Sequence, residues 1–160
     1  MCDQNIKRLA KADRAGVYSA ALGMLTYREH SFFEMCCKLE KKGADRETAH
    51  AVVSQLKDEG WQSDVRFAES YVSFWAVKGR GLHRIQMELK AHRLTRELIL
   101  QALNSRPFDW IERACDAYTK KYGEHVPDNY SECAKRMRFL RYRGFDRDEI
   151  FAAFERIRRR

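Results

Sequence analysis

Proline is nearly absent: Pro107 and Pro127 are the only two in 160 residues, which leaves little room for long irregular linkers or Pro-rich tracts. Long apolar runs are absent too. None approaches the ~20 residues a bilayer span needs, and MCDQNIKRLAKADRAG at the start lacks the apolar stretch of a signal peptide. A cytoplasmic protein with no membrane partner is expected. The five cysteines (Cys2, Cys36, Cys37, Cys115, Cys133) include no CxxC pair and no Cys/His group at zinc spacing, so reduced, partly buried thiols are expected.

Catalytic patterns are missing as well. His30, His50, His83, His92 and His125 are scattered without a Ser or Cys partner at a telling spacing, and there is no HExxH. Most carboxylates are interleaved with Lys and Arg, as on solvated helix faces. No catalytic residue, cofactor or metal ligand is assigned. Carboxylates can converge from distant helices, so a metal-dependent nuclease stays as a minor alternative, marked by magnesium-dependent cleavage of DNA.

What the chain does hold is charge and helical periodicity. The formal net charge is +8 with a pI near 9.4, a balance that favours a polyanionic or acidic partner. The excess is uneven, +1 over residues 1–61, +4 over 62–108 and +3 over 109–160, which puts the basic surface in the middle and C-terminal thirds. Apolar residues recur at helical spacing, as in Phe32, Met35, Cys36 and Leu39, and no alternating strand pattern persists. The fold class is all-α. Breaks at Gly43, Gly60, Gly79 with Gly81, Pro107, Gly123 to Pro127 and Gly144 predict helices over 17–28, 31–42, 46–59, 64–77, 81–92, 95–104, 109–122, 130–143 and 146–159.

Three segments share one layout: LEKKGADRETAHAVVSQL from Leu39, LKAHRLTRELILQALNSR from Leu89, and LRYRGFDRDEIFAAFERI from Leu140. They are offset by 50 and 51 residues, an internal repeat. In each copy a helix ends, a turn follows, and Asp45, Thr95 or Asp146 stands ready to cap the next helix, with Asp146 and Glu149 at capping-box spacing. The apolar face then repeats as Ala49, Val53, Leu56; as Ile99, Leu103; and as Ile150, Phe154, Ile157. The expected organisation is an N-terminal extension over 1–16 and three-helix repeats over 17–61, 62–108 and 109–160. Such repeats are expected to stack into an elongated, curved array. Gly43 and Gly144 hold the helix-ending position in two copies; Arg93 holds it in the middle one, which implies either another turn geometry or strain of order 1 kcal/mol.

The fragment Lys78-Gly79-Arg80-Gly81 superficially suggests a phosphate loop. No GxxxxGK[ST] follows a strand and no third glycine completes GxGxxG, so a helix-to-helix turn accounts for the glycines. The cations around it, Lys78, Arg80, Arg84, Lys90 and Arg93, suit either a solvated face or one that contacts phosphates or acidic groups. A second cluster on KRMRFLRYR offers Lys135, Arg138, Arg141 and Arg143, with Met137 and Leu140 turned inward, and Arg156, Arg158, Arg159 and Arg160 form a third. Tyr130 and Tyr142 stand where they could stack on bases, and any nucleic-acid binding is expected to be independent of sequence. Phe32, Phe67, Tyr71, Phe74, Trp75, Trp110, Phe139 and Phe154 are expected in the core, and Trp61 between the first two repeats.

SFFEMCCKLEKKG, GWQSDVRFAESYV, KGRGLHRIQMELK and KKYGEHVPDNYSECAKRMRFLRYRGFDRDEIFAAF resemble, in order and spacing, the RecX family of bacterial recombination regulators. The resemblance runs from about Ala20 to Ile157, and its most specific parts are Lys78-Gly79-Arg80-Gly81 with Arg84-Ile85 and Glu88-Leu89, and KYGE paired with RFLRYRGF. It implies three tandem three-helix units and a non-enzymatic regulator. Such a protein would lie along the groove of the RecA filament on single-stranded DNA and suppress ATP hydrolysis, filament extension and strand exchange. DNA itself is a second expected partner, and the chain is expected to be a monomer. Arg93 stands where the family usually has Gly, and WQSD replaces the usual aromatic, Leu and pair of Asn/Asp residues. The competing reading is a DNA- or RNA-binding helical module that acts without RecA.

Overall fold

A computed structural model describes residues 13–159, and among them every regular element is an α-helix. In chain order these are α1 (Arg14–Tyr27), α2 (Phe32–Lys41), α3 (Arg46–Asp58), α4 (Asp64–Val77), α5 (Leu82–Ala91), α6 (Arg96–Asn104), α7 (Trp110–Tyr122), α8 (Tyr130–Arg143) and α9 (Arg147–Arg158). Most of the expected 1–16 extension, Cys2 and Arg160 lie outside the described residues. Helix α1 begins earlier than the spacing predicts because Asp13 caps it, its carboxylate accepting from the Gly16 N–H at 3.1 Å.

The repeated caps form as the sequence implies. Asp45, Thr95 and Asp146 accept from the backbone N–H of Thr48, Leu98 and Glu149, and Glu149 returns a bond to the Asp146 N–H. Each such cap is worth about 1 kcal/mol. Leu39, Leu89 and Leu140, one in each copy, are fully buried. Arg93 resolves the open question of the middle turn: its φ is 59°, so it takes the left-handed conformation of Gly43 and Gly144 and bears the strain.

The chain packs as two compact units. The described part of the first is residues 13–67 with His92–Leu94. Its core joins Val17 and Ala21 of α1, Met35 and Leu39 of α2, and Ala49, Val52, Val53 and Leu56 of α3. Below it the α1–α2 turn is tied down by buried polar groups. His30 is nearly buried, with Nδ1 2.9 Å from the Arg28 carbonyl and Nε2 3.0 Å from Lys38 Nζ, an arrangement that requires a neutral ring donating to the carbonyl and accepting from the ammonium. Gln62 donates to the His30 carbonyl and to Asp64, and Asp64 accepts the Phe32 N–H at 2.8 Å. Gln62 and Asp64 of WQSD here clamp α2 to the start of α4. Burial works against the Glu34 carboxylate, but Arg28 and Lys38 outweigh it and hold its pKa down to about 2.

The second unit comprises Ala68–Ala91 and residues 95–159. Cys115 and Tyr118 of α7, Leu140 of α8, and Ile150, Phe154 and Ile157 of α9 form a core with Phe145. Two turns meet backbone to backbone. The Gly81 N–H donates to the Arg143 carbonyl at 2.9 Å and the His83 N–H to the Gly144 carbonyl at 3.1 Å. A Cβ on Gly81 would lie 2.3 Å from the Gly144 carbonyl carbon, and one on Gly144 would lie 2.3 Å from Arg84 Cβ. The glycines of the KGRG fragment therefore serve a helix-to-helix turn and its docking. One aromatic expectation fails: Phe74 is 55% exposed and not core, while Trp61, in the turn after α3, is 56% exposed. Trp61 follows the left-handed Gly60 that ends α3, and Phe74 occupies the outward face of α4 beside Lys78.

Gly81→Ala should destabilise the protein by about 3 kcal/mol in urea unfolding, because backbone rather than a side chain blocks the new methyl. Gly23→Ala, in the interior of α1 with open space around it, should stabilise by about 0.5–1 kcal/mol. Glu34→Gln should cost about 1–2 kcal/mol near neutral pH, after discounting the ion pairs for solvent screening. Because the folded pKa lies below the ordinary 4.5, the stabilisation is complete above that value and is lost as pH falls toward about 2. The gap between the parent and Glu34→Gln should therefore close over that interval, and a constant gap would refute the ion-pair account.

Candidate functional site

Of the nine cations around KGRG and along KRMRFLRYR, eight fall in the second unit and Arg93 in the first. They divide into two kinds. Arg80 and Arg84 both bind the Glu88 carboxylate, which also accepts from the Tyr71 hydroxyl at 2.9 Å. The Arg80 guanidinium carbon sits over Trp75, 3.3 Å from the ring centroid. Burial opposes the charge on Glu88, but Arg84, Tyr71 and Arg80 together lower its pKa. Burial, followed by the same carboxylate, pushes the Tyr71 hydroxyl up to about 12. Arg143 is likewise engaged, donating to the Lys78 carbonyl at 3.2 Å and lying over Phe139. These three arginines hold α4, α5 and the α8–α9 turn together.

The remaining cations face solvent. Lys78, Lys90, Lys135, Arg138 and Arg141 are exposed. Among the described residues only Lys135 has a carboxylate partner, Glu132 at 3.3 Å, and that pair is itself exposed. Lys135, Arg138 and Tyr142 are spaced by three and four residues, so they share one face of α8, with Arg141 beside them. Tyr142 is 76% exposed, and the Arg84 guanidinium sits 5.7 Å from its ring centroid, joining the α5 cluster to this stripe. Asn129 starts α8 by accepting from the N–H groups of Ser131 and Glu132, and left-handed Gly144 ends it. Between them the helix spends its buried face on Leu140 and leaves cations outward.

Such a face can hold an anion. Among the described residues no three His, Cys, Asp or Glu side chains converge as a metal ion would require. Burial, followed by the charge of Glu40, pushes the Cys36 thiol up to about 11, the wrong direction for a nucleophile. No described helix is long and apolar enough to cross a membrane.

Family models for the first, second and third three-helix domains of RecX match residues 18–56, 63–103 and 109–154. The chain belongs to the RecX family. It is 37% identical over 141 residues to the regulatory protein RecX of Legionella pneumophila strain Corby, covering 88% of this chain and 94% of that one. It is 41% identical over 130 residues to the regulatory protein RecX of Stenotrophomonas maltophilia strain R551-3, covering 81% and 80%. The crystal structure of RecX from Lactobacillus salivarius superposes with a TM-score of 0.72 at 21% identity over 92% of this chain and 98% of that one, a likeness of fold. The Legionella and Stenotrophomonas relatives are named as regulatory proteins, not enzymes.

Sequence reasoning about this RecX chain found the cations but missed the division between them. The signal was available for one pair, since Arg84 and Glu88 have i,i+4 spacing. Nothing in the spacing points to Trp75 beneath Arg80 or to Tyr71 on Glu88. The distinction yields a direct test. Arg80→Ala should cost about 1–2 kcal/mol in urea unfolding, through the loss of one of the three groups that hold Glu88 and of the contact with Trp75. Arg138→Ala and Arg141→Ala should each change stability by less than about 0.5 kcal/mol.

Proposed function

We propose that this chain regulates the RecA recombinase, mainly as an inhibitor. It binds the groove of the RecA filament on single-stranded DNA and suppresses ATP hydrolysis, filament extension and strand exchange, and so modulates recombinational repair and the SOS response. The supporting observation is the outward stripe of α8, where Lys135, Arg138, Arg141 and Tyr142 are exposed and both arginines have no carboxylate partner among the described residues. Cations free of internal partners attract a polyanionic assembly at long range and speed encounter with it. Several contacts spread over one face slow release, because each broken contact re-forms at high effective concentration. The chain acts as a monomer in the cytoplasm, and direct contact with DNA accompanies contact with the recombinase.

An exposed tyrosine beside unpaired cations also suits a single strand alone, backbone on the cations and base on the ring. That favours, as the second reading, a sequence-independent DNA- or RNA-binding module that acts without RecA. Salt separates the two. Binding to naked DNA that is tight at low salt and falls with a slope of about −0.7 to −0.9 per neutralised phosphate supports the module. Strongest binding only when recombinase is present supports the regulator.

Charge reversal of Lys135, Arg138 and Arg141 together should raise the concentration needed to inhibit ATP hydrolysis by a RecA filament at least tenfold, with helicity unchanged. Unaltered inhibition would remove this face from the proposal. Absence of inhibition by the parent protein at equal stoichiometry, with naked-DNA binding intact, would replace it by the second reading.

A further inference from the structure

The first unit carries almost no net charge, yet it gathers unpaired cations around an open cleft of about 920 Å³ between α2 and α3. Ligand pockets span roughly 300–1,000 Å³. Arg46, His50 and Lys57 lie along one face of α3, spaced by four and seven residues, a row about 16 Å long at the helical rise. Phe32 and Phe33 supply the aromatic wall: the His50 ring meets Phe32 edge-on at 5.0 Å, and Lys57 lies 6.0 Å from its centroid. Three carboxylates also line the cleft. Asp64 is already committed to the Phe32 N–H and Gln62, while Glu40 and Asp58 have no ion pair with Arg46, Lys57 or Arg93 among the described residues.

Arg93 makes this cleft more than a gap between helices. At the same point of the first and third repeats the chain uses Gly43 and Gly144, for which a positive φ is free of strain. The middle repeat places an arginine there at φ 59°, and its guanidinium lies 4.2 Å from the Phe33 ring centroid, at the rim of the cleft and exposed. A strained residue whose flat cation reaches a pocket wall is the pattern of a ligand contact, since the strain does nothing for the fold that glycine would not do better. A guanidinium laid on a ring presents a flat cationic surface on which an aromatic base stacks, and the α3 row supplies donors for phosphate.

We propose that this cleft is a second ligand site, taking a nucleotide unit with its base on Arg93 and Phe33 and its phosphates along Arg46, His50 and Lys57. It lies wholly within the first unit and does not depend on the α8 stripe or on the regulatory reading. The same chemistry comes from two sources, a free nucleotide or one unit of a single strand.

The test uses the full chain with Lys135, Arg138 and Arg141 charge-reversed, so that the α8 face cannot contribute. Backbone amide shifts of His50 and Ser54 are followed by NMR during titration with ATP, with a thymidine oligonucleotide and with an oligoglutamate peptide. Saturable shifts with ATP identify a free-nucleotide site, and shifts with the oligonucleotide alone identify a strand unit; either supports the proposal. Arg93→Gly relieves the strain, so its urea midpoint should not fall, yet its affinity for the active probe should drop about tenfold, the loss of one charge-assisted contact. Arg93→Lys, which keeps the charge without the flat stacking surface, should fall between. The proposal is overturned by no shift with either nucleotide probe, by shifts with oligoglutamate alone, or by an Arg93→Gly affinity within twofold of the parent.

Discussion

The second unit depends on a contact that involves no side chain: the α4–α5 turn lies against the α8–α9 turn close enough for their backbones to hydrogen-bond directly. At that separation neither Gly81 nor Gly144 can carry a Cβ. Gly79 has a related constraint, since its position would bring a methyl to 3.1 Å from Ala117 Cβ. Two helix-turn-helix segments from different repeats are thereby fused into one body, and the register of α5 against α8 is fixed to within a hydrogen-bond length. Fixing that register brings Arg84 beside Tyr142 and Arg143 under the Lys78 carbonyl.

A close backbone contact concentrates positive charge, because the residues around it are largely arginine and lysine. Glu88 relieves part of that by taking Arg80 and Arg84 on its two oxygens. Tyr71 and Trp75 complete the arrangement, one donating to the carboxylate and the other supporting a guanidinium. Elsewhere in the unit Arg136 donates to the Tyr118 hydroxyl and the His125 carbonyl, and Arg156 bridges Asp109 and Glu112. Much of the basic composition is therefore internal fastening. A smaller set, chiefly on α8, remains exposed and available to a partner, which is why net charge alone overstates the size of a binding face.

The repeat, its caps and its buried apolar faces were legible in the sequence because each rests on local rules: helical periodicity, a short polar residue before a helix, a glycine after one. Asp146 with Glu149 illustrates the strength of that signal, since both halves of the predicted reciprocal bond are present. Phe74 was misplaced because an aromatic at helical spacing does not reveal which face of its helix is covered. Glu88 was hidden for a different reason. Apart from Arg84 on its own helix, its partners come from α4 and the α4–α5 turn, and only packing brings them together. The cleft of the first unit escaped notice because balanced charge sums to nearly nothing, although Arg46, Lys57 and Arg93 are not spent on the carboxylates that cancel them in the count.

The three copies of one turn separate structural need from other selection within a single chain. Copies one and three accept glycine, satisfying the left-handed backbone without strain, so the turn itself never requires a side chain. In the third copy the glycine is doubly constrained, by φ 98° and by the approach of Arg84. The middle copy has no such neighbour to exclude a side chain, and it holds the strained arginine. Space therefore permits Arg93, but permission does not explain a residue that costs about 1 kcal/mol. The contact with Phe33 returns about the same amount at an exposed site, which leaves the choice of arginine close to neutral for stability. A substitution that is neutral for folding yet specific in where it places a charge is explained by what that charge meets outside the chain.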